Sequence, residues 1–272
     1  MIYFAQKLIP YLALVFIYLA VATNFWRDAK MPTKRKFSNL RTAMLGLGLL
    51  IHACLLYQVI LAHGFNLGFF NVLSVIAWLT VLIYGLADLK HNLAGLQAFI
   101  LPQAAIFALL PAYNVANHYL PSAESPLLLA HIAIALLAYS LFTFATLHAL
   151  LMTIAERSLH NKSILIKLPS FPPLMVMETL LFQIIGLGFI LLTITLISGM
   201  LFSEQIFGKP MQFNHKTIFS IASWIIYGAL LFGRIQYGWR GIKAIRWTLV
   251  GFVLLLLAYV GSKFILQVIL GR

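Results

Sequence analysis

TLLFQIIGLGFILLTITLISGMLF, residues 179–202, holds no charged side chain in 24 consecutive positions. A helix of that length is about 36 Å long at 1.5 Å per residue, enough to cross a hydrocarbon core of about 30 Å. Lipid offers backbone N–H and C=O groups no partners, so the run must pair them within itself as a helix. Working outward, seven more apolar runs stand at about 8–25, 43–61, 69–86, 93–112, 126–154, 217–233 and 247–269. With 62% hydrophobic and 9% charged residues in a 272-residue chain, there is more apolar surface than a soluble core can bury. The aromatic residues show no ten-residue alternation, which excludes an outer-membrane barrel. The fold class expected is all-α: a polytopic membrane protein of eight transmembrane helices, forming one bundle over residues 1–272.

Basic residues set the orientation. The connections after the odd-numbered runs carry Arg27, Lys30, Lys34, Arg35, Lys36 and Arg41, then Lys90, then Arg157, Lys162 and Lys167, then Arg234, Arg240, Lys243 and Arg246. The opposite side has only Lys7, Lys209, Lys216, Lys263 and Arg272. Positive residues stay in the cytoplasm, so both termini are expected outside, in the periplasm of a bacterial inner membrane. The net charge of +13 is therefore a topology signal, and no nucleic-acid partner is expected. Ala20-Val21-Ala22 closes the first run, but the six basic residues after it are the reverse of a signal peptide, and the run is expected to stay as a mature helix.

The chemistry available is narrow. The lone Cys54 excludes an intramolecular disulfide and a CxxC thiol site, and no Walker loop or HExxH is present. Glu178 reads as a charge favoured by the N-terminal dipole of the sixth helix, and Lys263 as a snorkelling cation, so no buried acid–base pair is expected. Histidine is the richer set. His91, His148 and His160 belong to the cytoplasmic side, and His52, His63 and His118 to the outer half or outer loops. His131 and His215 head the fifth and seventh runs, on the same face of the membrane. Two neutral imidazoles so placed can hold a haem iron. Below His131, Ala135, Ala138, Tyr139, Phe142 and Thr146 continue one face, fit for a flat macrocycle or a neighbouring helix.

A resemblance enters with Leu168-Pro169-Ser170, Gly186-x-Gly188-Phe189 through Leu192-Thr193 to Ser198-Gly199, Trp224, Tyr227 and Gly238-Trp239-Arg240-Gly241. This tract resembles the membrane core of the cytochrome c assembly protein family. His131 with Tyr139-Ser140 is similar to that family's histidine-bearing helix, and Gly251-Phe252 with Tyr259-Val260-Gly261 to its last helix; the core is placed within 126–270. Phe69, Asn71, Leu73, Ser74 and Trp78 look more like its small HemX-like and YpjD-like branch. Members that attach haem to apocytochrome c carry a tryptophan-rich WWD segment, where this chain has Phe207-Gly208 and Phe213-Asn214-His215-Lys216-Thr217. The synthases' histidine before an arginine corresponds here to Gly233 before Arg234. Only His131 transfers by position; His215 is an inference from topology.

The resemblance implies an inner-membrane haem-binding or haem-handling accessory, not an enzyme, linked to cytochrome c maturation or haem biosynthesis. The expected cofactor is b-type haem on His131 and His215, with Lys209 or Lys216 as a partner for a propionate. The expected partners are the lipid bilayer, haem and other maturation or membrane proteins. Two alternatives stay open: a small-solute or ion transporter using Asn71, Ser74, Thr193 and Thr195, and a scaffold docking through Gly46, Gly48, Gly186 and Gly188.

Overall fold

The computed structural model describes residues 2–30, 38–62, 65–91, 93–113, 125–160, 173–207 and 215–261. These are nearly all helical: α1 (Ile2–Lys30), α2 (Ser38–Ile60), α3 (Phe69–His91), α4 (Gln97–Leu109), α5 (Pro126–His160), α6 (Leu174–Phe207), α7 (His215–Tyr237) and α8 (Gly241–Leu256). Short 3₁₀ turns flank α4, and α8 runs on into a π-helical turn, Leu257–Gly261. Six helices carry apolar runs long enough to cross a membrane: Asn39–Ile60, Phe69–Lys90, Pro126–Arg157, Leu174–Leu201, His215–Tyr237 and Gly241–Tyr259. The other two apolar stretches, Leu8–Asn24 and Gln97–Tyr113, are shorter. Each expected run is helical over most of its described part, residues 262–269 of the last run lying outside the described residues, and six reach membrane length among the described residues. Helix ends overrun the apolar runs because polar residues continue a helix once nucleated: α6 runs on through Ser203, Glu204 and Gln205 to Phe207.

The chain divides into two compact units, the first Met1–Leu120 with Ile154–Leu174, the second Pro121–Thr153 with Met175–Arg272. In the first, α1 packs on α4 and α2, and α3 on α4 and α2. Leu14, Tyr18, Val21, Val81, Leu96 and Ile100 fill its core. A polar chain crosses that core: the Tyr18 hydroxyl lies 3.1 Å from His52 Nδ1, and His52 Nε2 lies 3.0 Å from Ser74 Oγ. It ties α1, α2 and α3 together, and all three residues are buried. Gly48 makes room for it, since a Cβ there would stand 2.8 Å from the Tyr18 ring. At one end of this unit Arg41 Nη2 donates to Asp88 Oδ2 at 2.8 Å. That corrects the expectation of no buried acid–base pair, because the two side chains are mostly shielded from solvent.

In the second unit α5 and α6 run antiparallel and meet at three depths. His131 pairs with Ser198, Phe142 lies on Gly188, and His148 Nε2 donates to the Met177 carbonyl at 2.8 Å. Helices α6 and α7 are also antiparallel, joined by Trp224 Nε1 donating to Thr193 Oγ1 at 2.8 Å and by Phe189 stacked on Trp224. Helix α8 returns along α7, where Ser223 Oγ donates to the Gly251 carbonyl and Tyr227 to that of Thr248. The Phe142 and Tyr227 rings stack at 4.0 Å in the middle, so α5 touches α7. Tyr139 donates to the Leu255 carbonyl, just before the π-helical turn changes the carbonyl pairing of α8.

Glycine reactivity to substitution should follow this packing. A Cβ on Gly251 would stand 2.9 Å from the fully buried Tyr227 ring, whereas one on Gly186 meets nothing within 4 Å. Gly251→Leu is expected to cost about 1–3 kcal/mol of overpacking and to lower the thermal midpoint of the detergent-purified protein by several degrees. Gly186→Ala is expected to leave the midpoint unchanged or raise it, since alanine is the better helix former.

Candidate functional site

His131, one turn into α5, is only part-buried, and its imidazole faces α6: Nδ1 lies 2.7 Å from Ser198 Oγ, and Cε1 lies 3.4 Å from where a Cβ on Gly199 would be. Ser198 has one hydroxyl proton, and its oxygen lies 2.7 Å from the Ile194 carbonyl. With that proton given to Ile194, the hydroxyl accepts from His131 Nδ1–H. The ring is then the neutral tautomer with its lone pair on Nε2, the form in which an imidazole binds a metal. Gly199 keeps a side chain off the same ring edge.

His215 opens α7 and is exposed. The structure brings His131 to Ser198 and does not bring it into contact with His215. It does place both at one end of one unit. Helices α5 and α7 are each antiparallel to α6 and hence parallel to one another, and their rings meet at Phe142 and Tyr227. His131 lies eleven residues before Phe142, and His215 twelve before Tyr227. At 1.5 Å per residue the two stand about 16 and about 18 Å from that common level, at nearly the same depth. Helices five and seven, whose adjacency the sequence leaves undetermined, are neighbours. Among the described residues no three His, Cys, Asp or Glu side chains gather to hold a metal ion.

At the opposite end of this unit, Arg234 Nη1 donates to Glu178 Oε1, Arg240 Nε stands 3.7 Å from the same oxygen, and the Arg234 guanidinium lies over the Phe182 ring. Glu178 is the fifth residue of α6 and no acid lies in the first turn. It is the counterion of two arginines, not a charge set against the helix dipole. Gly233 admits no side chain, because an ideal Cβ would overlap Cδ2 and Cε3 of Trp239. The residue is held there by its backbone N–H donating to the Gly233 carbonyl at 3.1 Å, with Trp247 beside the indole and Lys243 over it. At the position where the resemblance would place a second histidine, the space is filled by tryptophan.

Other expected residues are occupied differently. Thr193 receives the Trp224 N–H and itself donates to Phe189, and Thr195 donates to Leu191. Ser74 belongs to the His52 chain, and Asn71 Nδ2 donates to the Asn66 carbonyl. Gly48 and Gly188 are used inside their own units, against Tyr18 and Phe142, while Gly46 and Gly186 face open space. His63, His118, Lys209, Phe213 and Asn214 lie outside the described residues, as do the side chains of His91 and His160. The Tyr18–His52–Ser74 chain was not foreseen. Its signal was three polar residues inside apolar runs, with nothing in their spacing to show that they meet.

Among the described residues, six membrane-length helices define a multi-pass helical membrane protein, with His131 and His215 at one end of its second unit. The chain belongs to the cytochrome c assembly protein family: the model for that family, Cytochrome C assembly protein, matches residues 38–270. The match reaches further toward the N-terminus than the motifs of the C-terminal half. Inner membrane protein YpjD of Escherichia coli strain K12 is 31% identical over 231 residues, covering 82% of this chain and 85% of that one. Cytochrome c biogenesis proteins CcsA are more distant. That of Guillardia theta is 24% identical over 249 residues, covering 81% of this chain and 83% of its own, and that of Prochlorococcus marinus 24% over 281 residues, covering 93% and 90%. No solved structure matches. The apolar helices and the likeness to an inner membrane protein agree on a multi-pass protein of the bacterial inner membrane.

Proposed function

We propose that this protein is an inner-membrane haem-binding or haem-handling accessory of cytochrome c assembly, working by binding and positioning and not as an enzyme. In this reading the chain crosses the membrane eight times with both termini outside, and the His131 end of the second unit faces outward. The excess of Lys and Arg on the other side supports that orientation. His131 and His215 would hold a b-type haem through their imidazoles, and the haem when bound would supply the iron centre. Ser198 fixes the His131 tautomer and orientation. The observation that carries the reading is the His131–Ser198 pair, standing at the depth of His215 on a helix that α5 touches. Family membership and the likeness to cytochrome c biogenesis proteins CcsA support haem as the ligand.

The test is the reduced visible spectrum, with haem quantified per polypeptide, of protein purified from haem-replete cells. Near-stoichiometric b-type haem is expected in wild type, lost in His131→Ala and in His215→Ala. Ser198→Ala is expected to keep the ligand and weaken binding about 10–100-fold, the usual effect of removing a ligand's orienting partner. A colourless, well-folded wild type would refute the reading.

A further inference from the structure

Lys216 follows His215 at the start of α7, and its Nζ stands 6.0 Å from the centroid of the Tyr259 ring. Tyr259 lies in the π-helical turn and meets Tyr139 edge-on at 5.8 Å. Tyr139 is fixed in turn by its hydroxyl bond to the Leu255 carbonyl. It stands eight residues, about two turns, below His131 on α5. One end of the second unit therefore carries an ammonium, two anchored tyrosine rings and two imidazoles, drawn from α5, α7 and α8. Among the described residues the ion pairs are those of Arg41, Arg234 and Arg240, and none involves Lys216. An ammonium beside an aromatic ring at the edge of an apolar bundle is placed to attract an anionic ligand group by a charge-assisted hydrogen bond. The rings offer an apolar body a flat surface beside the charge.

Resting on the haem reading above, we infer that this end selects a ligand combining a flat apolar macrocycle with a free carboxylate, and that Lys216 is the residue that recognises the carboxylate. The neighbouring aromatic rings take the macrocycle's apolar surface. Lys216 positions the ligand, and the imidazoles hold its metal.

The experiment titrates purified wild type, Lys216→Gln and Lys216→Arg with haem and with haem dimethyl ester, whose carboxylates are blocked, and follows the Soret band. Wild type is expected to bind the free acid at least about tenfold more tightly than the ester, as loss of one charge-assisted hydrogen bond implies. Lys216→Gln should bind both equally, near the wild-type affinity for the ester, and Lys216→Arg should restore the preference. Thermal midpoints measured alongside confirm that the variants are folded, since Lys216 is exposed and fills no core space. Equal affinity of wild type for acid and ester, or a preference retained in Lys216→Gln, overturns the inference and leaves haem binding standing. No Soret response to either porphyrin in wild type removes the haem reading and this inference together.

Discussion

Gly233→Leu is expected to stop the protein accumulating in folded form, the largest single-residue effect anticipated for the second unit. The cause is local and steric. The Trp239 indole lies where the new side chain must go, and its retreat is restricted: the backbone N–H of Trp239 is tied to the Gly233 carbonyl, the backbone carbonyl of Trp239 accepts from Arg234, and Trp247 and Lys243 flank the ring. The turn that delivers it uses Gly238 and Gly241 at φ +62° and +55°, a region that other residues enter only with strain. Removing the obstacle should rescue the fold, so Gly233→Leu with Trp239→Ala is expected to recover part of the yield of monodisperse protein in detergent. A Gly233→Leu variant with wild-type yield and thermal midpoint would show that the indole does not hold this position.

Glu178→Gln should cost nearly as much, for an electrostatic reason. The carboxylate is 13% exposed and Arg234 26%, so neither is well hydrated. Taking away the negative partner leaves a guanidinium that water reaches poorly, which costs about 3–5 kcal/mol for a buried pair and nearer the lower figure here. Arg240, 63% exposed, is already solvated and should contribute little. The double variant Glu178→Gln, Arg234→Leu is expected to be more stable than Glu178→Gln alone, because the stranded charge goes with its partner. Thermal midpoints of the two single variants and the double form the cycle that separates coupling from side-chain loss. Additive effects would show that the two groups act independently.

The helices were legible because six of the apolar runs meet a length rule set by the bilayer, and a run such as 179–202 admits no other solution. Their ends were less so: α6 starts five residues earlier than its apolar run, since nothing in hydrophobicity marks where a helix emerging from lipid stops. Pairing was hardly legible at all. Arg41 and Asp88 are 47 residues apart, Arg234 and Glu178 are 56, and His131 and Ser198 are 67, so only the packing of different helices brings them together. Ser198 had been noticed as part of a motif, but its role in setting a histidine tautomer belongs to geometry. The Trp239 contact with Gly233 was nearer to hand. Six residues separate them, and the glycines at 238 and 241 already signal a chain turning back on itself.

The three meeting points of α5 with α6 amount to a mechanical specification. Sliding one helix past the other by a single turn, about 5.4 Å, would bring Phe142 against Ile184 or Leu192 in place of Gly188, while His148 lost its carbonyl and His131 its hydroxyl. The pair therefore has one register, like a key cut at three heights. In the haem-handling reading proposed above, the ligand must therefore travel to His131, because the strut that carries His131 is not free to travel to the ligand.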